Sequence, residues 1–544
     1  MYKETEKVRV REEVFSNAIR LLSIDRRYTT ITERAYPRKV RNFLVKDDYC
    51  AECAYILSNQ AIEKWQKYYK SLLGRKKASE LKVAFLSGPN PENDVEVMIK
   101  NGILTENIWA FENENKTYNQ AVSNLKKLYP DIKLFQFSID SFFRLTPIKF
   151  DIIYLDCCSP IFTKTKEKSI QTLYKLFEKH ALSSPGILIT NYSLPSEKGD
   201  TQRREELALL ASIWLFPKRC LYDGKKMFYP SEEPLEFDKF FEMVRNNFDF
   251  WYGEFITRFI MDLASVIVPL SVFNDKDYSD KFFRFKKDRN EINKKLFNDA
   301  LEDILENESI EISDEAAFEN DFGGWVWSDT DEFQIPWSIG VLTNKYGMRD
   351  YIFPESLTGE KKSKFGELCD ALVSQLSGLD KLNNLCDIFY VLFAVHDARF
   401  YSETVTEIMK EGYWKKALDT CDVFTAHTLM GALLGQLAVP YHVNVKQTLR
   451  WTYKAKQTQM YTDMLVLDEC RYIYDMVPTM DMILNTVDDL ERQLLFRFVL
   501  DSLDKNLFYY NQEWFEGSAM IGIDEKGFEA RELRPRINLT KEEK

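Results

Sequence analysis

Four apolar stretches between residues 81 and 192 each end in a residue type that can bind a ligand or move a proton. Leu81–Gly88 ends in a glycine, and Asn107–Glu112, Ile132–Asp140 and Phe150–Asp156 each end in a carboxylate. Glycine lets the backbone approach a ligand closely. Carboxylates accept hydrogen bonds from two donors or take up a proton. These residue types therefore predict a small-molecule site.

Helix-like segments separate these stretches, and this alternation predicts the elements that must position the site. A fifth strand, Ile187–Thr190, follows the turn Ser183–Gly186. Strands alternating with helices indicate a parallel, doubly wound α/β sheet, whose ligands bind beyond the carboxyl ends of the strands. We therefore expect the polar residues that end these strands to meet at one edge of the sheet.

A glycine after the first strand and an acid after the second resemble the class I S-adenosylmethionine-dependent methyltransferases, over roughly residues 81–195. The resemblance implies a Rossmann-type fold that binds S-adenosylmethionine. By this resemblance the turn after strand one surrounds the methionine part of the cofactor, the acid after strand two accepts hydrogen bonds from the ribose, and the acid after strand three contacts the adenine. The implied cofactor-binding residues are Ser87, Gly88, Asn90, Glu112 and Asp140.

The same resemblance implies an acceptor pocket after strands four and five. Asp156 and Ser159, in the segment Asp-Cys-Cys-Ser-Pro-Ile-Phe, correspond to the motif that lines the substrate pocket, and Asn191 and Tyr192 close it. In this role Asp156 orients an amine or takes up a proton. We expect Tyr154 to lie on the opposite face of its strand, in the core.

The chain departs from the family pattern at the first turn, which has Gly88 alone, flanked by Pro89 and Pro91. Proline removes a backbone donor and fixes φ. Two hypotheses remain open: an active methyltransferase for nucleic acid or another polymer-bound acceptor, or a catalytically inactive methyltransferase-like scaffold that binds protein or nucleic acid. A weaker comparison is to RNA cytosine-C5 methyltransferases, which use an attacking cysteine. In this chain Cys157 or Cys158 would have to take that role.

Charge is distributed unevenly along the chain. Residues 1–80 contain 18 Lys and Arg against 11 Asp and Glu, whereas the whole chain has a formal net charge of −12. The basic clusters of this segment are a candidate nucleic-acid surface. Residues 299–332 contain 13 Asp and Glu and no Lys or Arg. This acidic run indicates a solvated linker or a contact surface for a protein partner. The C-terminal helices are a second candidate contact surface for a protein partner.

At 544 residues the chain is long enough for two to four domains. We predict a basic helical segment at 1–80, a methyltransferase-like α/β domain with a helical extension at 81–275, a charged linker at 276–345, an all-α domain at 346–525 and a charged, frayed tail at 526–544.

The composition predicts a cytoplasmic protein that does not enter the membrane. The uncharged stretch Leu263–Phe273 is about half the length of a membrane span and indicates a buried helix or strand. Nine cysteines without regular spacing are expected to be reduced. Cys50 and Cys53 form a CxxC pair without further zinc ligands at a suitable distance, so we expect no metal site.

Overall fold

The structure is a computed structural model of the 544-residue chain. It describes residues 5–35, 37–38, 58–162, 169–196, 200–215, 237–275, 279–284, 334–349, 357, 359–376, 384–395, 400–410, 434–475 and 533–540.

Five parallel strands form one half of a nine-stranded sheet, in the order β3-β2-β1-β4-β5. Each overlaps a stretch that the sequence predicts as a strand, and the residues of β1, β2, β4 and β5 are mostly buried, whereas those of β3 are partly exposed. The third strand is shorter than expected, since a helix begins at Ile139. The bounds are β1 Val83–Leu86, β2 Ile108–Phe111, β3 Lys133–Phe135, β4 Phe150–Asp156 and β5 Leu182–Ser193.

The other half of the sheet comes from the C-terminal part of the chain. The strands are β6 His442–Val443, β7 Leu449–Ala455, β8 Thr458–Asp468 and β9 Ile537–Asn538. β8 runs antiparallel to β5 and β7, while β9 lies parallel to β7 at the edge. The prediction of an all-α domain over 346–525 is therefore not confirmed. The hairpin was missed because Lys456, with φ of +57°, stands where a glycine or asparagine usually signals a two-residue turn.

Helices cover both faces of the sheet. One face packs against apolar side chains of α1, α3 and α4, and the other against α5 and the helices that follow it. Within the described part of residues 1–80, two α-helices are present, at Thr5–Leu22 and Asn59–Leu73. The first helices are α1 Thr5–Leu22, α2 Asn59–Leu73, α3 Glu92–Lys100, α4 Asn115–Leu128, α5 Ile139–Leu145, α6 Ser169–Glu178 and α7 Thr201–Leu215.

Helical structure continues beyond residue 237, where the sequence also predicts helices. Part of the predicted linker at 276–345 differs from expectation, because the helix that starts at Gln334 contributes buried Ile339 and Leu342 to the core. The remaining helices are α8 Phe237–Asn246, α9 Phe248–Asp262, α10 Val268–Asp275, α11 Ser279–Phe282, α12 Gln334–Leu342, α13 Glu360–Leu376, α14 Asn384–Val395, α15 Glu403–Lys410 and α16 Arg471–Tyr474. The acidic run at 299–332 lies outside the described residues.

One apolar helical stretch, Phe248–Asn274, is long enough to cross a membrane, but 83% of its most apolar window is buried inside the protein. Glu254, Arg258 and Asp262 recur at a spacing of four along α9, and all three are buried. Arg450 from β7 donates from Nη1 to Glu254 Oε1 at 2.6 Å. A helix with buried, paired charges packed on a sheet is consistent with a soluble protein.

The C-terminal residues 533–540 are attached to the sheet rather than frayed. β9 pairs with β7, and Arg536 forms an ion pair with Asp463, whose side chain is fully buried. The expectation of a frayed tail therefore does not hold for these residues, because one basic side chain has a buried acidic partner.

Candidate functional site

The strand order places the candidate site between β1 and β4. After β1 the chain continues outward to β2 and β3, and then returns to the other side of β1 as β4. In such sheets a crevice opens beyond the carboxyl ends of the two strands where the order reverses, and ligands bind there. We call the space beyond Leu86 of β1 and Asp156 of β4 the switch-point crevice.

One side of the crevice is formed by the turn after β1 and the end of β2. The backbone N–H of Ser87 donates to the carbonyl of Phe111 at 3.0 Å, so Ser87 and Gly88 lie beside Glu112. Gly88 has φ of +57°, and apart from Gly88 and its two chain neighbours no atom of the described residues lies within 4 Å of the position that a Cβ would occupy. Only glycine adopts this conformation without strain. The structure thus brings three of the predicted cofactor-binding residues together beside open space.

The other two predicted cofactor-binding residues lie on elements that flank this turn. Asn90 is exposed, and Asn124 of α4 donates to its Oδ1 at 3.3 Å and to the carbonyl of Pro89 at 3.0 Å. Asp140 lies in the first turn of α5 rather than at the end of β3. A carboxylate there interacts favourably with the helix dipole, which by itself explains an acid at this position.

The opposite side of the crevice is centred on Asp156, the last residue of β4. Its Oδ1 accepts hydrogen bonds from Asn191 Nδ2 at 2.7 Å and from Cys158 Sγ at 3.0 Å. Lys7 Nζ of α1 lies 3.4 Å from Oδ2, and the Asp156 side chain is 14% exposed. Asp156 and Asn191 are register partners in β4 and β5, which explains why they meet.

These neighbours determine the protonation of Asp156 and Cys158. Burial alone would raise the pKa of Asp156, but Lys7 and the hydrogen bonds from Cys158 and Asn191 outweigh burial and lower this pKa. Burial and the Asp156 charge raise the pKa of the Cys158 thiol to about 12. Cys158 also has φ of +52°, an uncommon conformation for a residue other than glycine. Asp156 is therefore an anion at neutral pH and Cys158 a thiol, which disfavours Cys158 as an attacking nucleophile.

The remaining residues predicted on the acceptor side have supporting positions. Asn191 is fully buried, and besides Asp156 it contacts the Tyr453 hydroxyl at 3.0 Å and Thr462 at 2.8 Å, so its amide orientation is fixed. Tyr192 is fully buried and belongs to the hydrophobic core, on the opposite face of β5 from Asn191, so it does not face the crevice. The carbonyl of Ser159 accepts from the backbone of β5 at Ser193, which fixes the loop after β4.

Two cations and a second carboxylate at the crevice were not found from the sequence. Arg11 Nε donates to Asp94 Oδ1 at 2.5 Å, and Asp94 lies buried in the first turn of α3. Burial and the neighbouring Asp156 raise the pKa of Asp94 to about 6, although Arg11 opposes this. Lys7 and Arg11 are four residues apart and therefore lie on one face of α1, and this spacing is the sequence feature from which the two cations could have been identified.

Two tyrosines complete the surroundings of Asp156. Tyr154 is buried as predicted and packs against Phe15 of α1, with ring centroids 5.4 Å apart. Its expected orientation was wrong, because residues two apart in a strand share a face, and Tyr154 therefore points the same way as Asp156. The Tyr453 hydroxyl, from β7, reaches the same place through Asn191.

No protein-family model and no curated protein sequence matches this chain. The function must therefore be inferred from the fold and from the geometry of the crevice. Within the described residues, no group of three or more His, Cys, Asp or Glu side chains is arranged to hold a metal ion. Cys50 and Cys53 lie outside those residues.

The crevice thus has two chemically distinct sides. The side at Ser87, Gly88 and Glu112 offers a close backbone approach and a half-exposed carboxylate. The side at Asp156 offers an anion that is held in one orientation by Asn191 and neutralised by Lys7. This arrangement can bind an organic ligand on the first side and place a polar or cationic group against Asp156 on the second.

Proposed function

We propose that the protein is an S-adenosylmethionine-dependent methyltransferase whose reaction takes place in the switch-point crevice. The observation that carries the proposal is the sheet, in which five parallel strands are followed by the reversed strand β8 beside β5. This arrangement resembles the class I methyltransferase sheet, which also has a reversed strand next to its fifth strand. The resemblance extends from residues 81–195 to the C-terminal hairpin.

The side of the crevice at Gly88 is suited to hold the cofactor. A left-handed glycine with open space above it lets the backbone approach the methionine part of the ligand. Glu112 follows β2, adjacent to β1, and its two oxygens match the two hydroxyl donors of a ribose. Ser87, Asn90 and Asp140 flank this position on the turn after β1 and on α5.

The side at Asp156 is suited to hold the methyl acceptor. S-adenosylmethionine held beside Gly88 and Glu112 would supply an electrophilic methyl group to the lone pair of an acceptor at Asp156, and would leave as S-adenosylhomocysteine. Holding the two partners in line supplies much of the acceleration. Because the pKa of Asp156 is lowered, this residue stabilises positive charge that develops on the acceptor, and the released proton passes to water.

The excess of basic residues in residues 1–80 supports a polymeric acceptor, with nucleic acid as our first candidate. Lys64, Lys67 and Lys70 are exposed on α2, and Lys76 pairs with Asp151 near the start of β4. This basic surface thus lies toward the amino ends of the strands. β4 has 7 residues. Its length is about 23 Å, a distance that a polymer in contact with both places can span.

A catalytically inactive scaffold is the second candidate, and one contact favours it. Lys7 forms an ion pair with Asp156, and Arg11 forms one with Asp94, so helix α1 already supplies a cationic partner to both carboxylates of the crevice. In a protein that only binds partners, these pairs would attach α1 to the sheet. The single glycine after β1 fits this alternative as well.

Calorimetric titration with S-adenosylmethionine and S-adenosylhomocysteine tests the proposal. We expect micromolar binding, weakened at least tenfold in Glu112→Ala because hydrogen bonds to a charged acceptor are lost, each worth about 1.5–3 kcal/mol. Glu106→Ala, in the exposed turn before β2, is the matched control and should bind like the wild type. A folded wild-type protein that binds neither compound would leave the scaffold as the remaining candidate.

A further inference from the structure

The pair between Lys7 and Asp156 is the part of the crevice that a ligand can reach. The two side chains are 25% and 14% exposed, whereas those of Arg11 and Asp94 are 12% and 8% exposed. Any group that binds Asp156 from the crevice must therefore compete with the Lys7 ammonium.

Lys7 is well suited to be replaced. It lies in the first turn of α1, and its neighbour Val8 is 41% exposed. A lysine side chain is a compact ammonium on a flexible four-carbon stem, so it can move into solvent without moving the helix. The apolar half of α1 stays packed, since Val14, Phe15 and Ala18 are buried against the sheet.

The charges around Asp156 determine what can take the place of Lys7. Asp94 lies close enough for the two carboxylates to influence each other's protonation, and both would repel an anionic ligand. A group with N–H donors and positive charge instead restores the neutral balance and the hydrogen bond to Asp156.

We propose that the Lys7 ammonium lies in a binding position for an amine or ammonium group beside Asp156, and that the nitrogen of an entering ligand displaces Lys7 from this position. The inference rests on the proposed function in that this nitrogen becomes the methyl acceptor once it has released a proton to water and regained its lone pair. Lys7 is then a positioning residue that keeps Asp156 compensated until the acceptor arrives.

Cys158 provides a probe of this position that does not depend on activity. Its exposed thiol donates to Asp156 Oδ1, and the negative charge of Asp156 suppresses thiolate formation while the charge of Lys7 favours it. The rate at which Cys158 is alkylated at fixed pH therefore reports the charge near Asp156. The other charged or titratable groups around it, Asp94, Arg11, Tyr154 and Tyr453, remain in every variant.

The experiment measures iodoacetamide alkylation of Cys158 in the full-length protein at pH 9, with tandem mass spectrometry to separate Cys158 from Cys157. Lys7→Ala should slow the reaction about threefold to tenfold, since one pKa unit changes the thiolate fraction tenfold. Propylammonium, which replaces the deleted side chain, should restore the rate with saturation. Tetramethylammonium and propionate at equal ionic strength should not restore it.

Two further variants keep the result interpretable. Arg9→Ala removes a cation from the exposed face of α1, where Arg9 pairs with Glu13, and should leave the Cys158 rate unchanged. Lys7→Met keeps the apolar stem and should behave like Lys7→Ala.

The proposal is overturned if both Lys7 variants react at the wild-type rate, if propylammonium has no saturable effect, or if tetramethylammonium acts equally well. Titration with S-adenosylhomocysteine separates this outcome from failure of the proposed function. Rescue by propylammonium without binding of S-adenosylhomocysteine would support the amine position and refute methyl transfer. Binding of S-adenosylhomocysteine without rescue would refute the amine position alone.

Discussion

Replacement of Arg536 by methionine should destabilise the protein strongly, although only eight residues of the sequence follow it. Its guanidinium donates to both oxygens of Asp463, at 2.6 and 3.2 Å, and to the carbonyl of Gly253 at 2.7 Å. Asp463 is 0% exposed. Methionine keeps much of the volume of the arginine stem but leaves the carboxylate without this partner.

The size of the effect follows from the burial of Asp463. Thr257 still donates to Asp463 Oδ2 at 2.6 Å in the variant, so the carboxylate keeps one hydrogen bond. Removing one partner of a buried ion pair costs about 3–5 kcal/mol, because a charge stays buried without compensation. Asp463→Asn in the Arg536→Met background should recover part of this loss, since the remaining group is then neutral.

Urea unfolding followed by tryptophan fluorescence measures the midpoint for each variant. Arg534→Met is the matched control: it removes an exposed arginine from the same tail and should change the stability by less than about 0.5 kcal/mol. If Arg536→Met and Arg534→Met unfold at the same urea concentration, Arg536 does not hold the tail in place, and the reasoning is wrong.

Three further predictions concern other buried groups. Burial lowers the pKa of His442 from 6.5 to about 3. The stability that depends on neutral His442 is thus complete above pH 6.5 and is lost as the pH falls from 6.5 to 3. About 2 kcal/mol of it is lost between pH 7 and pH 5. Urea unfolding at pH 7 and at pH 5 measures this loss, which His442→Gln should abolish. Gly253→Ala should lower the free energy of unfolding, measured in urea, by about 1–3 kcal/mol, since its Cβ would lie 2.9 Å from Tyr461 Cε1; Gly366→Ala, with ordinary contact at 3.6 Å, should not. Asp156→Asn should speed alkylation of Cys158 several-fold at fixed pH, because the charge that suppresses the thiolate is removed; an unchanged or slower rate would contradict this.

The residues at the strand ends were predictable because their positions follow from local patterns. A run of buried residues and the turn after it locate Gly88, Glu112 and Asp156 from a few neighbours each. Parallel strands then bring their carboxyl ends to one edge without any knowledge of side-chain contacts. The pairing of Asp156 with Asn191 follows from the same rule, because β4 and β5 are adjacent.

The side chains that act on Asp156 from elsewhere could not be located by such patterns. Lys7 lies 149 positions before Asp156, and the amphipathic pattern of α1 does not indicate which strand this helix packs against. Tyr453 belongs to a strand whose turn has no glycine or asparagine, so the hairpin gave no short-range signal. Tyr192 was expected at the crevice because it follows a strand, whereas β5 continues to Ser193 and places Tyr192 in the core.

The contacts of α1 imply that the candidate site is not contained in a central domain. Glu13 of α1 accepts from Trp451 Nε1 at 2.9 Å, and Glu6 accepts from the backbone of Lys454 at 2.7 Å, so the N-terminal helix is attached to the C-terminal hairpin as well as to Asp156. β8 in turn pairs with eight residues of β5, from Gly186 to Ser193. A fragment with the boundaries 81 and 275 would lack both neighbours, expose the edge of β5 and remove Lys7 from the crevice. The site is therefore a property of the whole sheet, built from three segments that are distant in sequence.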